Sequence, residues 1–83
     1  MVGIRKILSA LSEHGAAKAV VMKCLKNKGL SLDEFPRTRL SVETVAEGLT
    51  RAEDVLEFER GSKAADLRSR LKVMRRELED AVA

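Results

Sequence analysis

The fold of this chain is decided by residues 63–82, which read KAADLRSRLKVMRRELEDAV. Apolar residues recur here at alternating intervals of four and three positions: Leu67, Leu71, Met74, Leu78 and Ala81. This spacing is typical of the a/d seam of a helix that packs along one side, as in a coiled coil. It predicts a helix over 63–82, with Ser62 as its N-cap.

Upstream of this stretch, apolar residues recur with a period of 3.6 and predict three more helices. We expect these helices over 3–13, 16–28 and 42–60. Gly15 is expected to end the first helix, and Ser41 to cap the third. No segment alternates like a strand. The predicted fold class is therefore all-α, a small array of about four helices arranged as two helical hairpins.

A chain of 83 residues is expected to form a single domain over 1–83. Within it we expect a basic helical hairpin over 1–29 and a connector over 30–41. An acidic helix followed by a basic helix is expected over 42–83. The connector begins with Ser31-Leu32-Asp33-Glu34, which matches a capping box and predicts a single helical turn.

Charge is distributed unevenly along the chain. The net charge is +3, but residues 1–30 carry +5, residues 31–60 carry −4 and residues 61–83 carry +2. Two interpretations follow. The acidic middle can pack between the two basic ends, or the basic faces can stay exposed for an anionic partner.

The third helix contains two features that a simple amphipathic helix does not explain. Glu53 falls at the centre of its apolar seam, while Val55 and Phe58 fall on its outer face. A break at Gly48 would explain both and would create a helix-turn-helix motif, but its second helix would turn acidic side chains toward phosphates. We favour a continuous helix whose Val55 and Phe58 belong to a second interface.

One flank of the fourth helix is basic, and it carries Arg68, Lys72, Arg75 and Arg76. It predicts a non-enzymatic regulatory protein that binds the backbone of duplex DNA or RNA as a homodimer. The lysines of the second helix are expected to join this surface: Lys18, Lys23 and Lys26. The alternative is a solvated flank whose arginines pair with acids of the third helix.

A second function class is a protein-binding adaptor, inhibitor or assembly factor that docks through its helices, a role that would suit a viral or phage accessory protein. Its interface, or that of the homodimer, is expected at apolar side chains of the third and fourth helices: Val55, Phe58, Leu67, Leu71, Met74 and Leu78. A second copy that covers such residues would enlarge the small core expected of a short chain.

The sequence predicts no enzyme, no cofactor and no metal site. It has one Cys and one His, and no residues have the spacing of metal ligands. Cys24 is expected in the core and His14 near the end of the first helix. Since no apolar run is as long as a membrane span, we expect a cytoplasmic or nuclear protein without a membrane partner.

Overall fold

Four α-helices and one short turn make up the chain in the computed structural model, which describes residues 2–83. Within that range no strand occurs, so the all-α prediction is confirmed. The elements are α1 (Ile4–Leu11), α2 (Gly15–Asn27), a 3-10 turn (Leu32–Glu34), α3 (Arg39–Glu57) and α4 (Ser62–Val82).

α3 is the central helix, because it packs against both α2 and α4. α1 packs against α2 and α4 and closes the core from a third side. The centre of this core consists of aliphatic side chains that are almost completely buried, among them Ile7 and Leu11 of α1 and Leu49 and Leu56 of α3. Since Phe35 is also buried, the connector contributes to the same core.

α3 continues through Gly48 without a break, so the expected continuity is confirmed and the helix-turn-helix alternative is wrong. Gly48 instead allows α2 and α3 to approach each other closely. A Cβ atom at this position would lie 3.1 Å from Cα and 3.3 Å from Cγ1 of Val21 in α2. The missing side chain therefore allows α2 to lie directly against α3.

The start of α3 corrects the expected connector. Ser41 is not the N-cap. The helix begins at Arg39, and the Thr38 hydroxyl accepts a hydrogen bond of 3.1 Å from the Ser41 amide. The single proton of the buried Ser41 hydroxyl is instead shared between the Glu34 carbonyl (2.9 Å) and the Thr38 carbonyl (2.7 Å). The connector predicted over 30–41 thus ends at Thr38, while the reach of Glu34 back to the Ser31 amide (2.7 Å) is present as predicted.

The corner between α1 and α2 also differs from expectation. α1 ends at Leu11, and Gly15 begins α2 rather than ending α1. His14 caps the second helix, since its Nδ1 accepts a hydrogen bond of 3.2 Å from the Ala17 amide. An acceptor at this position satisfies one of the amides that a helix leaves free at its N-terminus.

Replacing Gly48 by Ala is expected to lower the free energy of unfolding. Alanine favours a helix by up to about 1 kcal/mol over glycine, but overpacking a tight contact costs about 1–3 kcal/mol. Because the nearest atom belongs to the Val21 backbone, it cannot move aside without moving α2. We therefore expect a net loss of about 1 kcal/mol in denaturant unfolding.

Gly15→Ala is the matched control, since no neighbouring atom lies within 4 Å of a Cβ at that position. It should leave stability unchanged or raise it slightly. A Gly48→Ala protein as stable as the Gly15→Ala protein would contradict the close approach of α2 and α3.

Candidate nucleic-acid interface

Arg75, one of the four predicted phosphate ligands on α4, is engaged inside the molecule. Its Nε donates to Glu53 Oε2 at 2.5 Å and its Nη2 donates to Glu53 Oε1 at 3.2 Å. Its Nη1 donates to Glu79 at 2.6 Å. The side chain of Arg75 is 18% exposed and that of Glu53 is 8% exposed. Glu53 of α3 and Glu79 of α4 itself thus hold this guanidinium between the two helices.

The same pair explains why a glutamate lies in the apolar seam of α3. A buried carboxylate is costly unless a charged partner and hydrogen bonds satisfy it. Arg75 supplies both, and the hydrogen bond to Glu53 raises the pKa of its guanidinium above the usual value. Both partners can be located in the sequence. Glu53 lies within the apolar seam of α3, and Arg75 lies beside the apolar seam of α4.

Three cations of the flank remain available on the surface of α4. Lys72 and Arg76 are exposed and are in no ion pair within residues 2–83. Arg68 is about half exposed, and its Nη2 lies 4.0 Å from Glu57 of α3. These three residues recur every four positions, a rise of about 6 Å per step along the helix. We call Arg68, Lys72 and Arg76 the α4 basic stripe.

The structure does not bring the α2 lysines into this stripe. Lys18, Lys23 and Lys26 are exposed on α2, whereas the stripe lies on α4, and α3 separates the two helices. Gly48 faces α2 and Glu53 faces α4 at positions about 140° apart around α3. The exposed side of α3 is acidic and includes Glu43, Glu47 and Asp54. The two groups of cations are therefore separate surfaces.

The apolar seam of α4 is filled within the chain. Ala81 is exposed, but the other four of its five seam residues are buried in the core: Leu67, Leu71, Met74 and Leu78. In this fold they cannot also reach a second chain. Val55 is half-buried, whereas Phe58 is 86% exposed. Phe58 is thus the member of the expected apolar interface that stays on the surface.

A second ion pair joins α4 to the corner between α1 and α2. Arg70 donates two hydrogen bonds to Glu13, at 2.6 and 2.7 Å, and one to Asp66 at 3.0 Å. These hydrogen bonds from Arg70 lower the pKa of the Glu13 carboxyl. This pair was not predicted from the sequence, because its partners are 57 positions apart and no periodic pattern relates them.

Side chains of the types that bind metal ions are dispersed over the described residues. Across the described residues, no three His, Cys, Asp or Glu side chains are grouped so that they could hold a metal ion. Cys24, expected in the core, is half-buried beside a shallow groove that Arg51 of α3 also lines. Residues 2–83 contain no helix that is long and apolar enough to cross a membrane.

The comparisons with known proteins add no relative. No protein-family model matches this chain, and searches of curated proteins and of solved structures give no match.

Replacing Arg75 by Met is expected to lower the free energy of unfolding by about 2–4 kcal/mol, because it leaves the buried Glu53 charge without its partner. The double replacement Glu53→Leu with Arg75→Met should recover most of this loss, since apolar side chains of similar size can replace a buried pair. Denaturant unfolding of both single variants and the double variant measures the coupling.

Arg76→Met is the matched control on the same helix. It should change stability by less than about 0.5 kcal/mol, as is usual for exposed positions. Equal effects at positions 75 and 76 would show that the Glu53–Arg75 pair does not stabilise the fold.

Lowering the pH should remove the contribution of the Glu13–Arg70 pair to the free energy of unfolding. The pKa of Glu13 is lowered in the folded chain, so the pair stabilises in full above the unfolded-state value of about 4.3. That contribution is lost as pH falls through the lower, folded pKa. Glu13→Gln should be less stable than the wild type at neutral pH, and the two should converge in acid. A constant difference between them across the pH range would contradict this assignment.

Proposed function

We propose that this chain is a non-enzymatic regulatory protein that binds the backbone of duplex nucleic acid through the α4 basic stripe. The observation that supports the proposal is the regular spacing of three exposed cations, Arg68, Lys72 and Arg76, along one helix. Phosphate binding requires accessible positive charge and needs no aromatic platform, which suits a chain without Trp or Tyr. Such a protein would act in the cytoplasm or the nucleus.

The proposed surface is smaller than the sequence suggested, and this sets the expected strength of binding. Arg75 is excluded, because Glu53 and Glu79 already hold it. A single chain then neutralises about three phosphates at most, which predicts a salt slope of roughly −2 to −3 on B-form DNA. Contacts to phosphates carry no sequence information, so binding should be independent of sequence.

A second candidate function is docking to a protein partner, and the exposure of Phe58 favours it. An aromatic side chain that is 86% exposed at the end of α3 is a suitable anchor for an interface. In this case the α4 basic stripe is a solvated surface that adjoins the acids of α3.

Reversing charges of the α4 basic stripe distinguishes duplex binding from docking to a protein partner. The double replacement Lys72→Glu with Arg76→Glu should weaken binding to a duplex at least about tenfold in dilute salt and reduce the salt slope by about 2. Helicity should remain unchanged, because both side chains are exposed. Fluorescence anisotropy with labelled duplexes of two unrelated sequences, over a series of salt concentrations, measures both quantities.

The matched control is Lys23→Glu with Lys26→Glu, which changes the net charge equally on the other side of α3. It should weaken binding much less, because the α2 lysines lie outside the stripe. Equal losses for the two double variants would refute a specific surface on α4. A wild-type chain that fails to bind a duplex even in dilute salt would overturn the proposal and leave the docking function.

A further inference from the structure

A second basic surface lies on α2, which α3 separates from the α4 basic stripe. Residues Gly15–Asn27 include Lys18, Lys23 and Lys26 and contain no acidic residue. All three lysines are exposed, and none of them is in an ion pair within residues 2–83. Their charge is therefore not used to hold the fold together. We call these three lysines the α2 basic surface.

Neighbouring acids neutralise little of this charge. Asp33 of the connector lines one groove with Lys26 without forming an ion pair to it. Glu47 of α3 lies 3.4 Å from Arg51 of the same helix, which balances its charge. Arg51 also lines a groove with Lys23. The surroundings of the α2 basic surface are therefore positively charged overall.

The chemistry of α2 fits a phosphate backbone better than a protein or a lipid surface. No large apolar side chain of this helix is exposed, and Ala16, Ala19 and Asn27 lie among the lysines. A protein interface depends on apolar or aromatic anchors at its centre, and a helix on a lipid surface inserts an apolar face. Phosphates require only accessible positive charge. The α2 basic surface therefore suits the same ligand that we propose for the α4 basic stripe.

The two basic surfaces are directed toward different sides of the molecule. Val21 of α2 lies against Gly48 of α3. Lys23 and Lys26 lie about 160° and 140° away from Val21 around α2, so both are directed away from α3. The exposed side of α3, between the two surfaces, carries Asp54, which repels phosphates. A duplex segment that lies on the α4 basic stripe therefore leaves the α2 lysines free for another segment.

We propose that one chain holds two duplex segments at once, one on the α4 basic stripe and one on the α2 basic surface, and so bridges them. This inference rests on the proposed function, because the stripe must itself bind a duplex. The α2 basic surface is the weaker of the two. It has only lysines, whereas the stripe has two arginines, and a guanidinium can bond two phosphate oxygens at once. Bridging therefore requires higher concentrations than the binding of a single duplex.

Energy transfer between two duplexes, one with a donor dye and one with an acceptor dye, measures bridging in dilute salt. The anisotropy of a single labelled duplex measures binding in the same buffer. With the wild type, energy transfer should rise as the concentrations of protein and duplex increase. Lys23→Glu with Lys26→Glu should bind a single duplex nearly as well as the wild type but lose most of the energy transfer, because its second surface repels phosphates.

Arg60→Glu with Lys63→Glu is the matched control, since it changes the net charge equally at exposed positions outside both surfaces. Lys63 lies about 140° away from Arg68 around α4. This variant should bind and bridge duplexes like the wild type. Loss of energy transfer equal to that of the α2 variant would show that bridging depends on net charge alone, and would overturn the proposal.

An equimolar mixture of the α2 double variant with Lys72→Glu, Arg76→Glu should not restore bridging, because both surfaces must belong to one chain. Recovery in the mixture, or bridging by the α2 variant alone, would overturn the inference, since duplexes would then be joined by association between chains. A wild type that binds a duplex but gives no energy transfer would overturn bridging and leave the proposed function intact. A wild type that binds no duplex would overturn both.

Discussion

The ion pair between Glu53 and Arg75 is the constraint on which the arrangement of the helices depends. An apolar seam tolerates small shifts of one helix along another, because aliphatic contacts are not directional. A buried carboxylate does not tolerate them, since it must meet its cation within hydrogen-bonding distance. We infer that this pair fixes the register of α4 along α3. On the other side of α3, the absent side chain of Gly48 sets how closely α2 approaches.

This constraint also limits what the surface can do. The basic flank of α4 carries four cations in the sequence, but the one nearest the seam neutralises Glu53 and Glu79. Arg70 is likewise held by Glu13 and Asp66 on the opposite flank. Both arginines therefore stabilise contacts between elements of the fold. The cations of the basic flank that remain for an anionic partner are those of the α4 basic stripe.

Periodicity along the chain predicted the helices well, because it reports which face of a helix is buried. It gave the all-α class, the extent of α4 to within one residue and the continuity of α3. It could not identify the neighbour that each face meets. The Glu53–Arg75 and Glu13–Arg70 pairs both depend on tertiary contacts, and a glycine such as Gly48 is equally compatible with a helix end and with a close approach.

The predicted start of α3 was wrong because both Thr38 and Ser41 are good N-caps. In the structure Thr38 is the N-cap, and the Ser41 hydroxyl is bonded to carbonyls instead.

Solvent exchange of the arginine Nε protons, measured by NMR, tests the central pair most directly. The Nε proton of Arg75 is donated to Glu53 in a site that is largely shielded from water. It should exchange much more slowly than the Nε proton of Arg76, one residue further along the same helix and exposed. We expect exchange at Arg75 to be slow in the wild type and fast in Glu53→Leu. Equally fast exchange at Arg75 and Arg76 in the wild type would contradict it.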